Sequence, residues 1–232
     1  MSIVAFATAC MTQLEDPAQA EADFTELLEL VKTTFGTSDP DRADKLTLLY
    51  TDLKDRIVQS PASTRSYFHS AYAGGYVSHI LRVTKLAVSM ASMYKKNGGH
   101  VTFTKEELVF AALNHDLGKL GNDEAPYYVK QTSDWHKKTL GEMFKKNDEA
   151  PFFSVYDNTM MWLNQYGISY TTNEMLGIKL ADGNYDDANK KYLMNNDPFP
   201  IRTALPYILH WADHMATIIE KHQVLQLLGD DE

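Results

Sequence analysis

One cysteine, Cys10, stands among 232 residues, so no intramolecular disulfide can form, which fits a reducing compartment and makes the cytoplasm the expected location. Basic residues are also in short supply. Lys and Arg number 22 against 31 Asp and Glu, for a formal net charge of -9. A protein that grips nucleic acid through a broad face needs clustered positive charge to displace counterions, so that mode is disfavoured. A small anion is not, because a metal and a few lysines can reverse the field inside one cleft. No apolar run approaches the ~20 residues of a membrane-spanning helix, so no membrane partner is expected. The opening MSIVAFATACMTQLED lacks the positively charged start of a secretion signal; it should pack on the body as a short ordered segment or fray. Glycine-rich phosphate loops, internal repeats, low-complexity tracts and alternating strand patterns are missing as well.

What the chain does have is apolar spacing of three and four residues. Phe24, Leu27, Leu28, Val31 and Phe35 form one face over residues 18–35. Leu46, Leu49, Leu53 and Ile57 form a second, ended by Ser60-Pro61, since the residue before proline is pushed out of the helical region. These two make a helical hairpin. Residues 65–75, RSYFHSAYAGG, read as a loop, and 76–96 as a helix ended by Asn97-Gly98-Gly99. Thr104 and Glu107 make a capping box for a helix over 105–115. Ser133 starts a helix over 134–146, with His136, Leu140, Met143 and Phe144 facing inward. Residues 152–166 and 173–183 are two further helices, 184–200 is a loop with room for a helical turn, and Pro206 fits the first turn of a long helix to about residue 228. The fold class is all-α: one domain over residues 1–232, with 1–62 as an N-terminal helical extension packed on it.

Residues 111–121, AALNHDLGKLG, end an apolar helix on the adjacent pair His115 and Asp116. Two neighbouring ligand-type side chains leave a helix in different directions, so they can share a cation only with help from other elements. His79 and Asp213, each on a separate expected helix, are the candidates. Two imidazoles and two carboxylates suit one divalent ion such as Mn, Fe, Co, Ni or Zn, with Mg also admissible, and leave room for water and a substrate oxygen. Hydrolysis of a phosphoester is the chemistry such a site best supports.

The words around these residues carry a resemblance. HSAYAGGYVSHILRVTKLA, then NHDLGK, then ILHWADHMA are similar, in that order, to the motifs of the HD superfamily of metal-dependent phosphohydrolases, stand-alone bacterial and phage type. The resemblance implies an HD-domain helical bundle in which His79, His115, Asp116 and Asp213 bind metal and Asp116 can accept a proton. Lys119 would lie near a bound phosphate, or else be a solvated loop lysine. His136 resembles a downstream histidine that serves as general acid to the leaving group or as a ligand to a second metal; its alternative is a buried structural histidine. Dinuclear relatives usually add one or two more histidines before the last Asp, whereas Asn164, Gln165 and Tyr166 stand here, so one ion is expected. His69 and His210 could touch substrate, and LADGNYDDANKKYL offers Asp182, Tyr185 and Lys191 as the rim of a cleft. His214 is expected to be structural. The implied activity is metal-dependent hydrolysis of a nucleotide or related phosphoester. Two rival readings remain: a 3'-to-5' exonuclease on oligonucleotides, and a non-catalytic module that senses a nucleotide. The sequence carries no mark of oligomeric state.

Overall fold

Asp16 accepts a hydrogen bond from the Ala18 amide, with Pro17 in the first turn, and so begins α1 (Pro17–Phe35); such a side chain satisfies an amide the helix cannot. The computed structural model describes residue 4 and residues 14–194 and 201–229. Cys10, most of the N-terminal apolar run and the DPFP end of the polar linker lie outside the described residues. Asp39 and Pro40 repeat the capping arrangement for α2 (Pro40–Asp52). The second helix of the hairpin then breaks at Leu53 (φ −92°, ψ 7°) and resumes as α3 (Lys54–Gln59). Apolar spacing cannot register that break, because Leu53 and Ile57 stay buried on both sides of it.

Four helices form the centre: α4 (Gly75–Lys96), α5 (Lys105–Asn114), α8 (Thr172–Leu180) and α10 (Leu205–Gly229). The long α10 packs on α4 and α8, and α5 packs on the same two. The capping box at Thr104 and Glu107 is present. One apolar cluster runs from Leu27, Val31 and Leu46 through Ile80, Phe110 and Leu113 to Leu209, each such side chain contributing roughly 1.5–3 kcal/mol when fully buried. Buried polar ties also join the N-terminal helices to this centre. The buried Tyr50 hydroxyl donates to Asn114 Oδ1 at 3.0 Å. Arg42 on α2 pairs with the fully buried Glu174 on α8 at 2.6 Å and lies over the Phe110 ring. Among the described residues no helix is long and apolar enough to cross a membrane.

The helix expected over 134–146 is shorter than its pattern. It is α6 (Asp134–Leu140), capped by Ser133 and stopped by Gly141, which takes a positive φ of 61° that other residues rarely adopt. None of its residues is buried, so the inward stripe does not form as a helix face. Phe144 is buried instead from a strand: β1 (Tyr128–Lys130) and β2 (Phe144–Lys146) pair antiparallel, with Lys130 opposite Phe144. Three-residue strands are too short to show alternation, which is why the sequence gives no sign of them. The linker after α8 holds two 3-10 turns and the short α9 (Lys190–Leu193).

The turn after His115 and Asp116 is a 3-10 segment, Leu117–Leu120, clamped from two sides. From α7 (Val155–Gln165), Thr159 Oγ1 accepts from the Gly118 amide, Asn158 donates to the Gly118 carbonyl and Trp162 donates to the Gly121 carbonyl. From α3, Arg56 donates to the carbonyls of Leu120 and Asn122. Gly118 is required by this closeness: a Cβ there would stand 1.9 Å from the Val155 carbonyl oxygen. Gly118→Ala is therefore expected to cost about 2–4 kcal/mol, because backbone rather than a flexible side chain must yield. Urea unfolding measures it, and a loss under about 1 kcal/mol would show that the turn and α7 move apart freely.

Candidate metal centre

His79 lies in the second turn of α4, fully buried; His115 ends α5; Asp116 opens the 3-10 turn; Asp213 lies on α10. The folding of three separate segments brings them together. His79 Nε2 is 3.0 Å from Asp213 Oδ1 and 3.7 Å from Asp116 Oδ2. His115 Nε2 is 3.6 Å from Asp116 Oδ2 and 3.9 Å from Asp213 Oδ1. One ligand atom from each of His79, His115 and Asp116 lies within 4.8 Å of the others.

His115 supplies the test of whether a cation fits. Its Nδ1 lies 2.7 Å from the Ala112 carbonyl, which can only accept, so Nδ1 carries a proton and Nε2 is the nitrogen left to meet a cation. That Nε2 is buried and has no hydrogen-bond partner. A buried polar atom without a partner costs free energy, and this one faces two carboxylates and another ring nitrogen. This mixed nitrogen and oxygen set is what a first-row divalent ion takes, so the residues fit one.

Without metal, opposite charges set the protonation of the cluster. Burial disfavours a charge on His79, but Glu220 and Asp213 outweigh it and push its pKa up to about 10. Burial likewise works against charged Asp213, and His79, His115 and Lys119 overcome it, holding the carboxyl below its usual range. Asp116 is lowered in the same way, with Lys119 the strongest of the opposing influences. Lys119 Nζ is 2.6 Å from Asp116 Oδ2, and despite burial its pKa is raised, chiefly by Asp116.

The other expected residues separate into near and far. Lys119 is not a solvated loop lysine: its side chain is largely buried against Asp116. His69 lies by the centre, its ring centroid 4.8 Å from that of His79 and tilted 39° to it. Its Nε2 is buried and unpartnered, and burial, with His79 and Lys119, drives its pKa down to about 3. Asp182 feels the cluster too; its pKa is raised by burial and then by Asp116 and Asp213, although part of its side chain stays open to solvent. His210 turns away: its Nδ1 meets the Ala181 carbonyl at 2.8 Å and its ring fills the space a Gly183 side chain would need. Tyr185 is 79% exposed, between His210 and His214. Lys191 is exposed beside Tyr192. His136 Nδ1 meets Ser133 Oγ at 2.8 Å and its ring stands edge-on to Trp135, on a helix with no buried residues. Asn164 and Gln165 are exposed, and the Tyr166 hydroxyl donates to Asp52.

Two residues at the centre escape the sequence reading. Tyr128 on β1 is close enough to Lys119 for each to influence the other's ionisation. Glu220, buried on α10, lies 3.1 Å from His79 Nδ1. Glu220 had a signal, since seven residues after Asp213 is two turns along the same helix face.

Residues 76–183 match the family model described as HD domain. No curated protein and no solved structure matches the chain. The matched segment takes in His79, His115 and Asp116 and stops short of α10, so Asp213 joins them on geometry alone.

Proposed function

We propose, on the premise that residues 76–183 are an HD domain and so of a family of metal-dependent phosphohydrolases, that the chain hydrolyses a phosphoester or phosphoanhydride of a nucleotide. His79, His115, Asp116 and Asp213 would hold one divalent ion. The observation that carries this is the buried, unpartnered His115 Nε2 among two carboxylates and a second imidazole. A bound divalent ion supplies Lewis acidity at a phosphoryl oxygen and lowers the pKa of water.

The chain's own groups do the rest. Asp116 is kept deprotonated and can accept a proton from the attacking water. Lys119 is kept charged and meets negative charge developing on the phosphoryl oxygens. Neutral His69 offers one ring nitrogen to a hydrogen bond in the same place. His136 has no contact with the cluster among the described residues and has no step in this mechanism. A single ion is favoured because Asn164 and Gln165 face solvent and Tyr166 is engaged with Asp52.

A nucleotide is favoured over a phosphoester without a base by the loop that carries His69. Tyr67 and Phe68 are 39% and 36% exposed, their rings 4.9 Å apart, with the Arg65 guanidinium over both. Flat rings beside a cation stack nucleobases, at roughly 1–3 kcal/mol per base. Alanine at both Tyr67 and Phe68 is expected to raise KM for a nucleotide about tenfold or more, while hydrolysis of glycerol phosphate stays unchanged. Equal losses on both substrates would remove the stacking role.

The same surface suits the end of a single strand, which is the second reading, weighed down by the net charge of -9. Metal analysis with a hydrolysis screen separates these. Purified protein with Mn, Co, Ni, Zn or Mg is offered nucleoside mono-, di- and triphosphates, cyclic nucleotides and oligonucleotides. One ion per chain and product from mononucleotides are expected. Two ions surviving dialysis would overturn the single-ion site; product from oligonucleotides alone would favour the exonuclease; no product at all would count against hydrolysis.

A further inference from the structure

Glu220 is not one of the four proposed ligands, yet three other positions converge on its buried carboxylate. His79 Nδ1 lies 3.2 Å from Oε1 and 3.1 Å from Oε2. Ser70 Oγ donates to Oε2 at 2.8 Å, and Arg82 Nε donates to Oε1 at 3.1 Å. Ser70 follows His69 directly and sits at a positive φ of 44°, a conformation that a non-glycine residue holds only where surrounding contacts fix it. One carboxylate thus faces the back of a proposed metal ligand and anchors the loop that bears His69, Tyr67 and Phe68.

The chemistry of an imidazole gives that arrangement a direction. A neutral ring has one N–H and one lone pair, and a carboxylate can only accept. Glu220 therefore selects the form with the proton on Nδ1 and turns the Nε2 lone pair toward Asp213 and Asp116. A ligating histidine whose other nitrogen donates to a carboxylate is held in orientation and is the more basic donor. Arg82 also pairs with this carboxylate at 3.1 Å, so the buried charge of Glu220 is shared between two partners.

We infer that Glu220 is a positioning residue that sets the tautomer of His79, and with it the metal affinity of the centre, while Ser70 uses the same carboxylate to hold the substrate loop in register. This rests on the metal centre proposed above, and the test separates the two. Calorimetric titration with Mn²⁺ is run on the full chain as wild type, Glu220→Gln and Ser70→Ala. Glu220→Gln keeps the shape but loses the charge and one acceptor; its Mn²⁺ affinity is expected to fall about 10- to 100-fold. Ser70→Ala should bind Mn²⁺ within about twofold of wild type and show its defect in KM for the substrate. If wild type binds no divalent ion, the metal centre itself is refuted. If wild type binds and Glu220→Gln binds equally well, the centre stands and the role of Glu220 is overturned.

Should Glu220→Gln fail to fold, the wild type alone decides through nitrogen-15 NMR of its histidines with Zn²⁺ bound. A His79 proton on Nδ1, slow to exchange, is expected. A proton on Nε2 would overturn the inference, and so would an Nδ1 proton that exchanges with water as fast as that of an exposed imidazole, because Glu220 would then not be holding it.

Discussion

Asp116→Ala is expected to lower kcat by on the order of a thousandfold or more. Asp116 is at once a proposed ligand, the proton acceptor and the partner of Lys119, at 2.6 Å. Its removal also leaves a buried ammonium without its counter-charge, which in buried pairs costs roughly 3–5 kcal/mol. Some of the loss could therefore be unfolding, and Asp116→Asn guards against that by keeping the volume and one acceptor while losing charge and basicity. Both variants are measured for turnover and for equilibrium binding of the same nucleotide. Binding retained with turnover lost is the enzyme's result. A wild type that binds without turnover, joined by variants that bind as well as it does, is the result of a sensing module. Wild-type turnover in Asp116→Asn would remove Asp116 from the reaction.

Removing the metal is expected to have the next largest effect, and its size should grow with pH. An ion present at about a hundred times its dissociation constant stabilises the folded state by about 2.7 kcal/mol, and for a chain this long that moves the unfolding midpoint by roughly 5–10 °C. The pH dependence follows from His79. In the metal-free protein its pKa is raised from 6.5 to about 10. The stability that its charge contributes is complete below pH 6.5 and is lost as the pH rises through 10. An entering cation must displace that proton, so its apparent affinity rises up to about tenfold per pH unit over the same window. The metal-free form thus weakens as the pH rises, while the metal-bound form, with His79 neutral as it is in the unfolded chain, keeps its stability. Calorimetric melting with and without chelator at pH 6.5 and 8.5 should show the gap widening at the higher pH. A gap that stays the same would mean that His79 is already neutral in the metal-free protein, and would overturn this pH dependence.

The helices were legible because each buries one face: Phe24 to Phe35 and Val77 to Ala87 recur at the spacing of a helix against a core. The centre was legible because its residue types are rare in combination, with His115 and Asp116 adjacent and His79 and Asp213 on other helices. Where one segment's conformation depends on a distant one, the sequence was mute. Gly141 ends α6 and lets Phe144 reach the core from a strand whose partner lies fourteen positions earlier. His136 loses its inward place for the same reason. Glu220 is an ordinary acidic residue on a helix until Ser70, 150 positions away, donates to it. Tyr67 and Phe68 fall in a segment without periodicity, read only as a loop, and it is the fold that leaves them partly open.

The clamp on the 3-10 turn bears on where this chain can be cut. The matched family segment begins at residue 76, a natural first choice for a minimal fragment. Such a fragment would lack Arg56, whose guanidinium holds the carbonyls of Leu120 and Asn122, and Tyr50, whose hydroxyl holds Asn114 directly before His115. It would also uncover the side of α4 that α1 and α3 pack against. A shortened version beginning there would keep every proposed ligand in its sequence and lose the struts behind two of them, so a fragment meant to retain metal must start upstream of α1.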